Sequence, residues 1–323
     1  MPTVARVVEE QRGAYRVAGD FHGWAEVSGK FRHGARATAD FPAVGDWVCV
    51  AAPSGTERGL ITRRLARRST ISRKAAGRVV EEQIVAANVD TIFLVTALPE
   101  DLNPRRIERY LTVVQEAGAV PVVVLNKTDL SANAEAEARA VRERLPFVDV
   151  IGVSAKHAQG LEALTAYLTP ARTVALIGSS GVGKSTLVNR LLGHDLLKTA
   201  STREADGKGR HTTTSRHLVE LPGGALLIDT PGMRELQPWV EDTAVAETFE
   251  DIAALAQGCR FSNCEHRTEP GCAVLAAVEQ GTLDAARLDH YRHLGREVAF
   301  EERKRDKAAA ADQKRRWKKA CPP

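Results

Sequence analysis

The sequence predicts three structurally different parts in series: a small all-β barrel, an α/β domain on a mostly parallel sheet, and a helical segment organised by a metal. Three observations carry that expectation. Short apolar stretches broken by glycines fill residues 1–66. Strand-length and helix-length apolar patterns alternate over residues 85–238. Three cysteines and a histidine crowd together between Cys259 and Cys272.

The barrel part shows short apolar or alternating runs at Val4–Val8, Ala14–Ala18, Trp24–Val27 and Asp46–Ala51, with Gly13, Gly19, Gly29 and Gly45 between them. Short strands with glycine turns suit an OB-type barrel, and an SH3-like barrel has the same pattern. Residues 67–84 are polar and basic and read as a linker; Arg67, Arg68, Arg73, Lys74 and Arg78 fall there. Of the aromatics available to a barrel surface (Tyr15, Phe21, Trp24, Phe31, Trp47), most are expected in the core and one or two exposed.

The alternation that follows places strands at Thr91–Leu98, Val120–Leu125, Val148–Val153 and Thr173–Ile177. Helices are expected from Pro104 to near Gly118, over Ala132–Arg144, over Leu161–Leu168 and over Ser185–Leu192. Leu218–Leu221 and Ala225–Ile228 flank Pro222-Gly223-Gly224 as a hairpin. In such sheets ligands bind beyond the carboxyl ends of the strands, and the chemistry-bearing motifs sit at those ends.

Gly178-Ser179-Ser180-Gly181-Val182-Gly183-Lys184-Ser185 fits a phosphate loop between strand and helix, with Thr186 beside it. Glycines let backbone N–H groups turn inward around phosphate oxygens, and the helix N-terminus adds donors and positive potential. Lys184 is expected on the β- and γ-phosphates and the Ser185 hydroxyl on Mg²⁺. Asn126-Lys127-Thr128-Asp129 reads as a guanine-recognition loop, Asp129 accepting from guanine N1–H and the 2-amino group, which adenine lacks. Asn126 is expected at the base edge and bracing the loop, the Lys127 stem on the base face. Ser154-Ala155-Lys156 reads as the companion loop, with the Ala155 N–H on guanine O6. The bound nucleotide is therefore expected to be GTP or GDP.

The order of these motifs is unusual. Both base loops precede the phosphate loop in the chain, whereas an ordinary GTPase runs phosphate loop first. The GTPase domain is thus expected to be circularly permuted. Asp229-Thr230-Pro231-Gly232 follows, Asp229 suited to a water-mediated Mg²⁺ contact and the Gly232 N–H to sensing the γ-phosphate. Met233 stands where many GTPases place a water-orienting glutamine, so slow intrinsic hydrolysis is expected. In the polar loop Thr199–Ser215, Thr213, with Thr212 close behind, is expected on Mg²⁺ and the γ-phosphate. His211 is the nearby side chain able to orient water; the alternative, a loop histidine without chemistry, stays open.

Residues 239–323 hold Cys259-x4-Cys264-x-His266-x5-Cys272, the donor set of a closed, structural tetrahedral Zn²⁺ site. A charged, helix-prone stretch from Leu283 to about Lys319 ends in a basic run. Net charge is +4 over 323 residues, so basic character is local rather than global. The longest apolar runs, such as Ala119–Leu125, are strand-length, and no secretory pattern opens the chain; a cytoplasmic location without membrane contact is expected.

Together these residues resemble one family, the ribosome small-subunit-dependent GTPase A proteins (RsgA, also called YjeQ). The resemblance spans nearly the whole chain. It includes Val44-Gly45-Asp46-Trp47-Val48, Ala87-Asn88-Val89-Asp90, the permuted order, His211-Thr212-Thr213-Thr214 and the Cys-Cys-His-Cys spacing. It implies an OB domain, a permuted GTPase domain and a zinc domain. It further implies a monomeric enzyme acting late in small-subunit assembly, on ribosomal RNA near the decoding region. The subunit would stimulate hydrolysis, hydrolysis would promote release, and the family's proposed catalytic histidine aligns with His211. Two other functions stay open: a nucleotide-gated rRNA-binding assembly factor with incidental hydrolysis, and a permuted GTPase of large-subunit assembly.

Overall fold

The computed structural model describes residues 3–11, 13–51, 58–74, 82–193, 216–229, 248–296 and 298–299. These fall into two compact units. The first draws on Met1–Lys74, Glu81–Pro104 and Ala117–Gln237, the second on Ala75–Val80, Arg105–Glu116 and Pro238–Pro323. The barrel and the α/β domain, expected as separate domains, thus share a unit, while one helix of the expected GTPase domain groups with the cysteine-bearing segment.

In the first unit, β1 (Thr3–Gln11), β2 (Ala14–Gly19), β3 (Gly23–Val27), β4 (Trp47–Ala51) and β5 (Gly59–Arg64) form the barrel. β1 pairs with both β2 and β4, β2 with β3, β3 in parallel with β5, and β5 with β4. This closed order, with helix α1 (Gly29–Gly34) between the third and fourth strands, is that of an OB fold rather than an SH3-like barrel. Strand alternation turns Ala5, Val7, Tyr15, Val17, Ala25, Val27, Val48, Val50 and Ile61 inward. Trp47 is 38% exposed, while Tyr15 is buried.

Residues 70–74, read above as linker, form β6 (Thr70–Lys74), paired antiparallel with β7 (Glu82–Ala87). Arg67 is likewise an anchor. Its guanidinium meets both oxygens of the buried Asp46 carboxylate at 2.9 and 2.7 Å and the carbonyls of Ala39 and Phe41 at 2.8 Å. Basic composition read as a linker here, but a planar, forked cation suits a buried carboxylate.

The α/β sheet uses β8 (Thr91–Ala97), followed by α2 (Pro104–Glu116), then β9 (Val120–Asn126), α3 (Ala134–Arg144), β10 (Asp149–Gly152) and β11 (Thr173–Ile177). After β11 come α4 (Lys184–Leu192), β12 (Arg216–Glu220) and β13 (Leu226–Asp229). The order is β10-β9-β8-β11-β13, all parallel, with β12 antiparallel at the edge. Phe93, Val122, Val124, Val174, Leu187 and Leu227 lie in its buried core. The stretch expected as a helix over Leu161–Leu168 is a 3-10 helix over Leu161–Tyr167, entered through left-handed Gly160 (φ 72°) and stopped ahead of Pro170.

Barrel and sheet are joined edge to edge. β12 pairs with β1 (Glu9↔His217, Glu10↔Arg216), making one eleven-stranded sheet. Arg6 reinforces the joint, donating to the carbonyls of Gly45 and Asn88 at 3.1 Å and to Thr173 Oγ1 at 2.8 Å. Burial lowers its pKa to about 10. A Cβ on Gly45 would stand 2.1 Å from the Ala87 carbonyl. The Val44–Val48 and Ala87–Asp90 motifs of the sequence are therefore the two faces of one joint.

The second unit holds α2 from Arg105 onward, α5 (Glu250–Ala256), α6 (Ala273–Glu279) and a helix over residues 285–296. Its centre is ionic. Glu108 is fully buried and accepts from Arg287 Nη1 at 2.6 Å and pairs with His290 Nδ1 at 2.5 Å. Arg287 also grips Asp251 at 2.7 and 2.8 Å and stacks over Phe249 at 4.8 Å. The pairing explains why α2 carries a carboxylate on a buried position.

Candidate nucleotide site and metal centre

The parallel strands deliver the predicted motifs to one edge. Asn126 ends β9, Ser154 follows β10, the phosphate loop follows β11, and Asp229 ends β13. From β8 the chain proceeds to β9 on one side, and from β11 to β13 on the other, so the sheet has its switch point between β8 and β11.

The phosphate loop needs its glycines. A Cβ on Gly178 (φ 152°) would stand 2.1 Å from the Val95 carbonyl, and one on Gly183 (φ 94°) 2.3 Å from Asn126 Nδ2. Val182 is buried in the core between them. Lys184 Nζ donates to the Gly178 carbonyl at 2.6 Å and to the Ser179 carbonyl, placing the ammonium across the loop. Ser185 and Thr186 sit half-buried in the first turn of α4, and Gly181 and Ser180 are exposed.

Asn126 links the loops. Its Nδ2 donates to the Val182 carbonyl at 2.8 Å, and its Oδ1 accepts from the Ala155 N–H at 3.0 Å. The Ala155 N–H, expected on guanine O6, is thus directed to Asn126 here. Lys127 adopts the left-handed conformation (φ 61°), and the Thr128 N–H donates to the Val153 carbonyl at 3.2 Å. Asp129 Oδ1 accepts from the buried Ser154 hydroxyl at 2.5 Å, and His157 Nε2 lies 3.6 Å from Oδ2. The Ser154 hydrogen bond holds the Asp129 carboxyl below the usual range, aided by the nearby His157 and Lys156 charges. Lys156 itself is exposed.

Sequence reading missed Arg190 in α4, which reaches the carbonyls of Ala155 and Lys156 at 3.1 and 3.0 Å. An exposed arginine at the end of a short helix carries no sequence signal for such a role. Of Asp229, the strand position alone is described; His211, Thr212, Thr213, Gly232, Met233 and the basic stretch beyond residue 300 lie outside the described residues.

In the second unit the ligand atoms of Cys259, Cys264, His266 and Cys272 all lie within 4.8 Å of one another. Cys259 Sγ is 3.8 Å from Cys272 Sγ and 3.6 Å from His266 Nδ1, and Cys272 Sγ is 3.4 Å from the same nitrogen. Tetrahedral zinc places sulfurs about 3.8 Å apart and sulfur about 3.5 Å from nitrogen, so the donor set fits. The loop is held by Glu269, which collects its own N–H and those of Glu265, Arg267 and Thr268 and is pushed down to about 2. Arg292 Nη2 donates to the His266 carbonyl, and the Leu275 N–H caps onto Cys272 Sγ at 3.4 Å.

Base loops that precede the phosphate loop in the chain, brought to it by strand order, define a circularly permuted P-loop GTPase. The family described as RsgA GTPase matches residues 64–239. A small ribosomal subunit biogenesis GTPase RsgA from Opitutus terrae is 50% identical over 307 residues, covering 91% of this chain and 83% of that protein. RsgA 2 from Lactiplantibacillus plantarum is 48% identical over 301 residues, covering 92% and 84%. The crystal structure of YjeQ from Thermotoga maritima matches with TM-score 0.70 at 26% identity, over 93% of this chain and 99% of that one. The chain belongs to the RsgA GTPase family, a family of GTP hydrolases working with guanine nucleotide and Mg²⁺.

Proposed function

We propose that this chain is a cytoplasmic, monomeric GTPase of late small-ribosomal-subunit maturation, contacting that subunit's RNA and using hydrolysis to leave it. The observation that carries the reading is the likeness to small-subunit biogenesis GTPases across 91% of the chain, barrel and metal segment included. The strand pairing of β1 with β12 supports it physically. β12 begins at Arg216, three residues after Thr213 in the chain, so the strand that joins the barrel lies next in sequence to the segment read as nucleotide-sensing. Exposed Trp47, with the Arg6 guanidinium 5.5 Å from its ring, is suited to stacking on an unpaired base.

In this reading Lys184 and the phosphate-loop N–H groups hold the phosphates, Ser185 and, through water, Asp229 would hold Mg²⁺, and Asp129 reads guanine. Mg²⁺ held there would supply the positive charge that offsets negative charge developing on the phosphate oxygens. Thr213 and the Gly232 N–H sense the γ-phosphate, and His211 orients the attacking water. Cys259, Cys264, His266 and Cys272 hold one structural zinc, with no part in the chemical step.

Co-sedimentation with separated ribosomal subunits tests this. The chain with a non-hydrolysable GTP analogue should travel with small subunits, and with GDP it should stay behind. Travel with large subunits instead would favour the large-subunit alternative. Binding to small subunits regardless of nucleotide would favour a plain RNA-binding assembly factor.

A further inference from the structure

The base loop is held from behind by the helix that starts the phosphate site. Arg190 Nε donates to the Ala155 carbonyl at 3.1 Å and Nη2 to the Lys156 carbonyl at 3.0 Å. A guanidinium presents neighbouring N–H groups in one plane, so two consecutive carbonyls match its fork. In a trans peptide the carbonyl and the N–H point opposite ways. Fixing the Ala155 carbonyl therefore aims the Lys156 N–H away from Arg190. The Ala155 N–H is meanwhile directed to Asn126 Oδ1 at 3.0 Å, and the His157 N–H to Ser154 Oγ at 3.3 Å.

We propose that Arg190 is a positioning residue for guanine recognition, and that the donor it aims at guanine O6 is the Lys156 N–H rather than that of Ala155. The same helix carries Lys184 at its start. One rigid element thus sets the distance between the phosphate site and the donor for the base. The proposal rests on reading Asn126–Asp129 and Ser154–Lys156 as base-recognition loops.

The test compares Arg190→Ala, Arg190→Lys and Asp129→Asn, each with a thermal melt as a folding control. Arg190→Ala should weaken GDP binding about tenfold, the size of one charge-assisted hydrogen bond. In turnover the loss should appear in KM for GTP, with kcat changing far less. Inosine diphosphate keeps O6 and lacks the 2-amino group, so its affinity should fall by the same factor. Arg190→Lys, with one ammonium for two carbonyls, should recover part of the loss. GDP affinity within twofold of the parent, or a kcat loss as large as the KM change, would overturn the proposal. So would a loss for GDP that spares inosine diphosphate, because that would route Arg190 through the contact of Asp129 with the 2-amino group. An Asp129→Asn variant that binds GDP as the parent does would overturn the base-loop reading itself.

Discussion

Gly183 and Asn126 occupy one packing site: a Cβ on Gly183 would stand 2.3 Å from the Asn126 amide nitrogen. That nitrogen holds the phosphate loop at Val182, and the oxygen on the same amide holds the base loop at Ala155. Gly183→Ala would displace the amide and strain a backbone at φ 94°. GDP affinity should fall by about a hundredfold or more, equivalent to ~3 kcal/mol, with the circular dichroism spectrum retained. Calorimetric titration with GDP measures it.

Asn126→Ala tests the same link from the other side. It leaves the Val182 carbonyl and the Ala155 N–H, on residues each 1% exposed, without their side-chain partner. The expected cost is about 1–3 kcal/mol for each orphaned group, read as a lower melting temperature together with weaker GDP binding. A variant as stable as the parent would mean that the loops do not depend on Asn126.

The acid limb of GDP binding should report on Ser154. Its hydroxyl is the largest cause of the lowered Asp129 pKa. A carboxyl with a depressed folded value contributes fully above its unfolded value of about 3.9, and that contribution is lost as pH falls through the folded value. Ser154→Ala lets the Asp129 pKa rise, so GDP affinity should begin to fail at a higher pH than in the parent. GDP titrations at stepwise lower pH check this, and superimposed profiles would contradict it.

The second unit should depend on Glu108. Glu108→Ala leaves Arg287 and His290, 7% and 6% exposed, with one buried partner fewer. Breaking such a pair costs about 3–5 kcal/mol, read as an early transition in thermal unfolding. Glu108→Gln, which keeps the shape and one acceptor, should cost less.

Metal removal should affect the second unit and spare the first. If the proposed zinc site is filled, a strong chelator should extract about one zinc per chain from the Cys259, Cys264, His266 and Cys272 cluster. Helical signal from the segment that contains α6 should fall, since Cys272, one of the proposed ligands, also caps that helix. GDP binding should persist, because no residue of the phosphate loop or base loops belongs to the second unit.

What was legible in the sequence is what is local in it. The phosphate loop, Asn126–Asp129, Ser154–Lys156 and the cysteine spacing are short motifs whose chemistry dictates their spacing, and the strand pattern placed them at one edge of the sheet. The partnerships that cross long stretches of chain were not legible. Arg67 and Lys74 sat in a basic run that read as a linker, yet Arg67 is spent on Asp46 and Lys74 ends a paired strand. Glu108 meets Arg287 and His290 only once the chain has folded back from far downstream. The edge pairing of β1 with β12 has no sequence signature, since either strand alone reads as an ordinary edge.

The most direct measurement is GTP turnover by the full chain, alone and with purified small or large ribosomal subunits at matched concentration. Turnover should be slow alone, rise more than about tenfold with small subunits, each tenfold being about 1.4 kcal/mol of barrier, and stay unchanged with large ones. Turnover unchanged by small subunits, or raised by large subunits instead, would contradict the proposed function.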